Sequence, residues 1–200
     1  MSLGYRRTMG RAPRVEVPGG IYHVTARGNN RGDLVWDDYD RDACTLMLGR
    51  AAEKYEWVVL AYCLMTNHYH LLVRVPRGGL SAGIRLLNGG YSRRTNVRYG
   101  RVGHLFQNRF GAVHVTRDEH LKEASRYIVL NPVRAGLCAA PAHWRWSSYR
   151  AAVGLEFPLP FLACDELLGL FGRSPAAARS AYGAFVLDGL VPVSDTVLEL

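Results

Sequence analysis

Residues 57–75 constrain what this chain can fold into more than any other stretch. A strongly apolar run over 57–65 is followed by Thr66-Asn67 and then by 68–75, a run rich in β-branched and aromatic residues. Two such runs separated by two turn-forming residues predict a β-hairpin. In a strand, residues i and i+2 share a face. His68 and His70 therefore present two imidazoles side by side, and Tyr69 turns to the opposite face. Two neutral imidazoles on a rigid strand supply a large part of a divalent-metal site. The same pattern also fits two satisfied polar side chains on a half-exposed strand.

The rest of the chain alternates strands and helices. Residues 21–27 read as a strand with Tyr22, Val24 and Ala26 on one face and His23, Thr25 and Arg27 on the other, ended by Gly28-Asn29-Asn30. Residues 39–55 read as a helix with acids in its first turn. Residues 80–99 read as another, with Ile84, Leu87, Tyr91 and Thr95 on one stripe, weakened by Gly89-Gly90. A strand over 110–116 follows, and Asp118 is the expected N-cap of a helix running to about Leu130. On that helix Tyr127 and Asn131 are four apart and share a face, and Pro132 is expected to end or kink it there. The order β-α-β-β-α-β-α predicts the α+β class: a ferredoxin-like β-α-β-β-α-β sheet, a further helix, and a small helical C-terminal extension. In that topology the first and third strands are central neighbours. His23, Thr25 and Arg27 then lie beside His68, His70 and Arg74 if the registers match. A polar, basic sheet face is costly to bury and is better explained as a site than as core.

Charge sharpens this. The net charge is +8, and from Trp57 to Arg117 there is no carboxylate but nine arginines. The N-terminal part adds Arg6, Arg7, Arg11, Arg14, Arg27 and Arg31 against one acid, Glu16. This is an electrostatic footprint for a polyanion, with nucleic acid the favoured partner. The chain divides into a basic arm over 1–17, a main domain over 18–154, and an acidic tail over 155–200 with two short helices, read as a separate small unit. The four cysteines form no C-x-x-C pair, so they read as core thiols. Apolar runs fall short of the ~18–20 residues of a membrane span, and no secretory segment follows the basic start. A cytoplasmic, nucleoid-associated protein is therefore expected.

Several motifs taken together point to one family. They are His68-Tyr69-His70, the arginine-rich helix, Gly103-His104-Leu105-Phe106-Gln107-Asn108-Arg109-Phe110, Arg126-Tyr127-Ile128-Val129-Leu130-Asn131-Pro132-Val133-Arg134-Ala135-Gly136-Leu137, and the aromatic segment from Trp144 to Tyr149. The chain resembles, from about Pro18 to Gly154, the single-tyrosine transposases of the His-hydrophobic-His superfamily, in the IS200-like branch associated with repetitive extragenic palindromes. The resemblance implies a metal-dependent DNA strand transferase. Mg²⁺ or Mn²⁺ would sit on His68, His70 and the amide oxygen of Asn131, in a position where many relatives have Gln. Tyr127 would attack phosphorus to give a 5′-phosphotyrosine and a free 3′-hydroxyl. His114 and His120 are candidates for the base that deprotonates the phenol.

Single-stranded or hairpin DNA is the expected substrate, since it exposes one phosphate to a helix-borne nucleophile and a sheet-borne metal. Arg6, Arg7, Arg11, Arg14, Arg27, Asn29, Asn30, Arg31, Arg93, Arg94, Arg98 and Arg109 are the expected DNA contacts. Relatives include monomers and homodimers, so either is compatible. The main alternative is a catalytically silent or domesticated hairpin DNA-binding protein. A water-using metal hydrolase ranks last, because no paired carboxylates accompany the histidines.

Overall fold

The computed structural model of the chain describes residues 16–190. The elements follow in the expected order: β1 (Ile21–Arg27), α1 (Asp38–Tyr55), β2 (Val58–Leu64), β3 (His68–Arg74), α2 (Leu80–Tyr99), β4 (Gly111–Val115) and α3 (Asp118–Arg134). The four strands form one antiparallel sheet in the order β2-β3-β1-β4, so β1 and β3 are the central pair of a ferredoxin-like arrangement. The Met65 N–H donates to the His68 carbonyl at 2.9 Å and closes the Thr66-Asn67 turn.

Strand alternation decides which face is sealed. Tyr22, Val24 and Ala26 of β1 and Tyr69, Leu71 and Val73 of β3 are buried and face α1 and α2. The Tyr69 hydroxyl donates to Asn88 of α2 at 2.7 Å. Helix α2 runs unbroken through Gly89-Gly90, although this pair disfavours a helix by itself. A Cβ on Gly90 would stand 2.2 Å from the Met47 Cε of α1, so the missing side chain is what lets the two helices approach. Glu16 caps α2, accepting from the Leu80 and Ser81 N–H groups at 2.8 and 2.7 Å.

Helix α3 crosses the other face, against β2 and β3. It differs from expectation at both ends. Arg117 occupies the N-cap without a side-chain bond, and Asp118 lies with Glu119 in the first turn, where carboxylates oppose the positive helix end. Pro132 does not end the helix, which continues to Arg134. A proline at this position leaves only the Ile128 carbonyl without its helical donor. The turn beyond is well bonded: Ala135 N–H donates to the Asn131 carbonyl and Leu137 N–H to the Pro132 carbonyl, both at 2.9 Å.

The remaining helices are α4 (Tyr149–Ala152), α5 (Cys164–Leu168) and α6 (Pro175–Asp188). The aromatic segment before α4 packs back on the domain as expected. Leu64 N–H donates to the Trp146 carbonyl at 2.9 Å and Ser148 N–H to the Tyr62 carbonyl at 3.0 Å, which covers the outer edge of β2. The segment after residue 155 is not held apart. Leu162, Cys164, Leu167, Leu168, Ala178, Tyr182 and Val186 are buried in the same cluster as the sheet residues. Ala163 N–H donates to the Val59 carbonyl at 2.9 Å, and Glu166 pairs with Arg74 of β3 at 2.6 Å. Glu156 likewise pairs with Arg150 at 2.8 Å, so two of its acids serve the domain's own arginines, which composition alone does not reveal. The cysteines are all unpaired, with Cys44, Cys63 and Cys164 buried. Among the described residues, no helix is long and apolar enough to cross a membrane.

Candidate active site

The β1–β3 register sets Arg27 opposite His68 and Thr25 opposite His70, with His23 opposite Leu72 and thus diagonal to His70. The expected common face is formed. The His68 and His70 rings lie 5.0 Å apart between centroids at an interplanar angle of 81°. The Tyr127 ring meets His70 edge-on at 5.6 Å and His23 at 5.8 Å. Tyr127 is 44% exposed and His70 only 5%. A solvent-reachable phenol therefore stands directly against the buried His70 imidazole and the half-buried His23 one. Asn131 follows one turn later, its Nδ2 donating to the Tyr127 carbonyl at 2.8 Å. That bond leaves the amide Oδ1 as its ligating atom.

Hydrogen bonds decide which imidazole nitrogens are open. Asn67 Nδ2 donates to the Arg31 carbonyl at 2.9 Å, so its Oδ1 is the atom presented to His68 Nδ1 at 2.7 Å. His68 therefore carries its proton on Nδ1. His70 Nδ1 is 2.9 Å from His23 Nε2. In both metal-capable residues Nδ1 is taken and Nε2 is left. Burial pulls the His68 pKa down to about 4, with the Arg27 guanidinium adding to the effect. It pulls His70 down to about 3, reinforced by His68, His23 and Arg27, and it lowers His23 as well. All three are neutral at pH 7, the state in which imidazole ligates metals.

Two neutral imidazoles and one amide oxygen are donors a hard divalent ion accepts, with water or phosphate oxygens to complete its shell. Among the described residues, no group of three His, Cys, Asp or Glu forms a ready cage, so a cation on the two imidazoles would take its other ligands from the amide, solvent or substrate.

The basic residues expected to contact DNA fall into separate groups. Arg6, Arg7, Arg11 and Arg14 lie outside the described residues. Arg27, Asn29, Asn30 and Arg31 are exposed at the end of β1 beside the histidines. Their loop is tight: a Cβ on Gly28 would stand 2.0 Å from the Gly32 carbonyl oxygen. It is tied to the 104–108 loop by Asn29 N–H to the Leu105 carbonyl at 2.7 Å and Gln107 N–H to the Arg27 carbonyl at 3.0 Å. Arg109 is exposed just beyond that second loop. Arg93, Arg94 and Arg98 belong to α2, on the opposite side of the sheet from the imidazoles. Arg94 stacks on Tyr39 and bonds its hydroxyl. Arg98 is clamped by Asp37 and by Asp40 at 2.6 Å each, and holds the Asp37 carboxyl down to about 2.

His114 does not join the site. It pairs with Tyr22 in register and stacks on it at 5.0 Å, on the face away from His23. His120 precedes Tyr127 by seven residues, about 10 Å along the helix axis. His23 is the residue that sequence reasoning leaves out of the site while placing it on the polar face. Its alternation with Thr25 and Arg27 is the local signal; its meeting with His70, 47 positions away, depends on strand register.

Comparisons with known proteins give the family. The family model for IS200-like transposases matches residues 16–131, a span that includes the histidine pair and ends on Asn131. The chain belongs to the IS200-like transposase family, the single-tyrosine class. A Haemophilus influenzae protein described as a REP-associated tyrosine transposase is 26% identical over 149 residues, which is 69% of this chain and 84% of that one. The solved structure of a REP-associated tyrosine transposase bound to a REP hairpin superposes with a TM-score of 0.63, covering 78% of this chain and 94% of that one. At 17% identity that likeness concerns the fold.

Proposed function

We propose that this chain cleaves and rejoins single-stranded DNA at hairpins through a covalent 5′-phosphotyrosine on Tyr127, with a divalent cation held by His68, His70 and Asn131. The observation that carries the reading is the half-exposed Tyr127 ring packed edge-on against His70, 5.6 Å between centroids. When bound, Mg²⁺ or Mn²⁺ supplies Lewis-acid polarisation of a non-bridging phosphate oxygen. The Tyr127 Oη forms the bond to phosphorus as its proton leaves to solvent. The P–O3′ bond breaks and the departing 3′-oxygen takes up a proton. Two phosphoryl esters are exchanged at similar energy, so a second 3′-hydroxyl reverses the step and joins strands without a nucleotide cofactor.

Arg27 and the 29–31 loop, exposed beside the histidines, hold the flanking phosphates; the N-terminal arginines extend that contact. The Tyr127 ring stands against His70 and His23 of its own chain, which supports a monomer acting in cis over a homodimer that exchanges tyrosines. The test is incubation with a single-stranded hairpin and Mn²⁺, followed by a denaturing gel. A protein–DNA adduct that forms at the same rate per chain across dilution is expected. Hairpin binding with no adduct and no cleavage would establish the silent-binder alternative instead.

A further inference from the structure

Within the site proposed above, and resting on that reading, we infer that His23 is a positioning residue: it accepts the Nδ1 proton of His70 and thereby commits His70 to offer its Nε2 to the cation. The two nitrogens are 2.9 Å apart and share a single proton. If His23 donates, the His70 proton sits on Nε2, and that nitrogen has no lone pair to give. If His70 donates, Nε2 is open. Only the second arrangement binds a cation, because His70 Nδ1 faces the His23 ring in either case. With its Nε2 so engaged, His23 is not a third ligand through that nitrogen, consistent with the lack of a three-residue cage among the described residues.

His68 has the same requirement and meets it differently, through the Asn67 Oδ1 at 2.7 Å, itself fixed by the Arg31 carbonyl. The site thus has two orienting acceptors, an amide for one imidazole and an imidazole for the other. Water is a poor substitute at His70, which is 5% exposed. The His23 ring also meets the Tyr127 ring at 5.8 Å. One side chain therefore touches both a metal-capable residue and the nucleophile.

The test uses the full chain without DNA and Mn²⁺ alone as probe, titrated by the loss of the free-ion electron paramagnetic resonance signal. His23→Gln keeps an acceptor near the position of Nε2; His23→Leu keeps the bulk and removes the acceptor. The Leu variant is expected to bind Mn²⁺ about 10–100-fold more weakly, the usual cost of losing an orienting partner, with Gln restoring most of it. Hairpin affinity should stay the same in both. Should Leu fail to fold, His23→Asn stops short of His70 and must behave as Leu was expected to. Wild-type Mn²⁺ affinity in Leu or Asn, with adduct formation intact in the parent chain, would overturn the role of His23 alone. Gln binding as weakly as Leu would make the imidazole itself a ligand and overturn it too. A parent chain that binds no Mn²⁺ would remove the strand-transfer reading along with it.

Discussion

Along β3, Tyr69, Leu71 and Val73 face one way, while His68, His70 and Arg74 face the other. The first set is closed under α1 and α2, each residue at 1% exposure or less. The second set is divided. At one end Arg74 is covered by Glu166 of α5. At the other, His70 meets the half-exposed Tyr127, and His68 meets Asn67 and stands opposite the exposed Arg27. One face is sealed along its length, whereas the other is closed by the C-terminal segment at the Arg74 end and keeps an exposed phenol at the histidine end.

Removing one oxygen from the histidine-bearing face should have the largest effect. Tyr127→Phe keeps the ring against His70 and His23 but takes away the hydroxyl proposed as nucleophile. Adduct and strand joining should fall to background, with folding and hairpin affinity retained. A variant that still forms the adduct, or cleaves without protein attached, places the nucleophile elsewhere.

Next come matched truncations on the two faces. His68→Ala should slow cleavage on the order of 10³-fold, because a Lewis acid contributes several kcal/mol to such a step. Its effect on stability and hairpin binding should be slight. Leu71→Ala should do the reverse, costing about 2–5 kcal/mol of stability by leaving a cavity, with adduct formation per folded molecule unchanged. Denaturant midpoints and single-turnover rates on the two variants decide it. Equal losses of stability would mean that the faces are not specialised.

Much of this division is legible in the sequence because it is local. The two-residue period of β3, the Thr66-Asn67 turn and the i, i+4 spacing of Tyr127 and Asn131 need only neighbouring residues. What depends on long-range pairing is not legible. His23 reaches His70 through strand register. Helix α3 outlasts Pro132 because the turn beyond supplies its bonds. That Arg98 is held by Asp37 and Asp40, some sixty positions away, is likewise invisible in its own stretch of sequence.

Acidification should separate the faces by a smaller amount. His68 and His70 titrate at about 4 and 3 in the folded chain, against about 6.5 when unfolded. Between those values the unfolded chain binds more protons, so lowering the pH favours unfolding. Their contribution to stability is complete above about pH 6.5 and is lost as the pH falls toward the folded values. Asp37, at about 2, acts in a lower window. The urea midpoint of the chelated protein should therefore drop between pH 7 and pH 5. Replacing both histidines with Gln should flatten that drop; a midpoint equally steep in the variant would assign it to other groups.

The smallest expected difference lies between two arginines. Arg27 is exposed beside His68, and among the described residues no carboxylate pairs with it. Arg98 is on the far side of the sheet, held by Asp37 and Asp40 and flanked by the rings of Tyr39 and Tyr99. A guanidinium already neutralised by carboxylates releases few counterions from DNA, whereas an unpaired one releases about one per phosphate. Arg27→Gln should therefore weaken hairpin binding and lower the slope of log affinity against log salt by about 0.7–0.9. Arg98→Gln should leave that slope unchanged while loosening the contact between α1 and α2. If instead Arg98→Gln lowers the slope as much as Arg27→Gln, the DNA also follows the α2 side. The sealed face would then share in binding, and the contrast between the two faces would hold for catalysis alone.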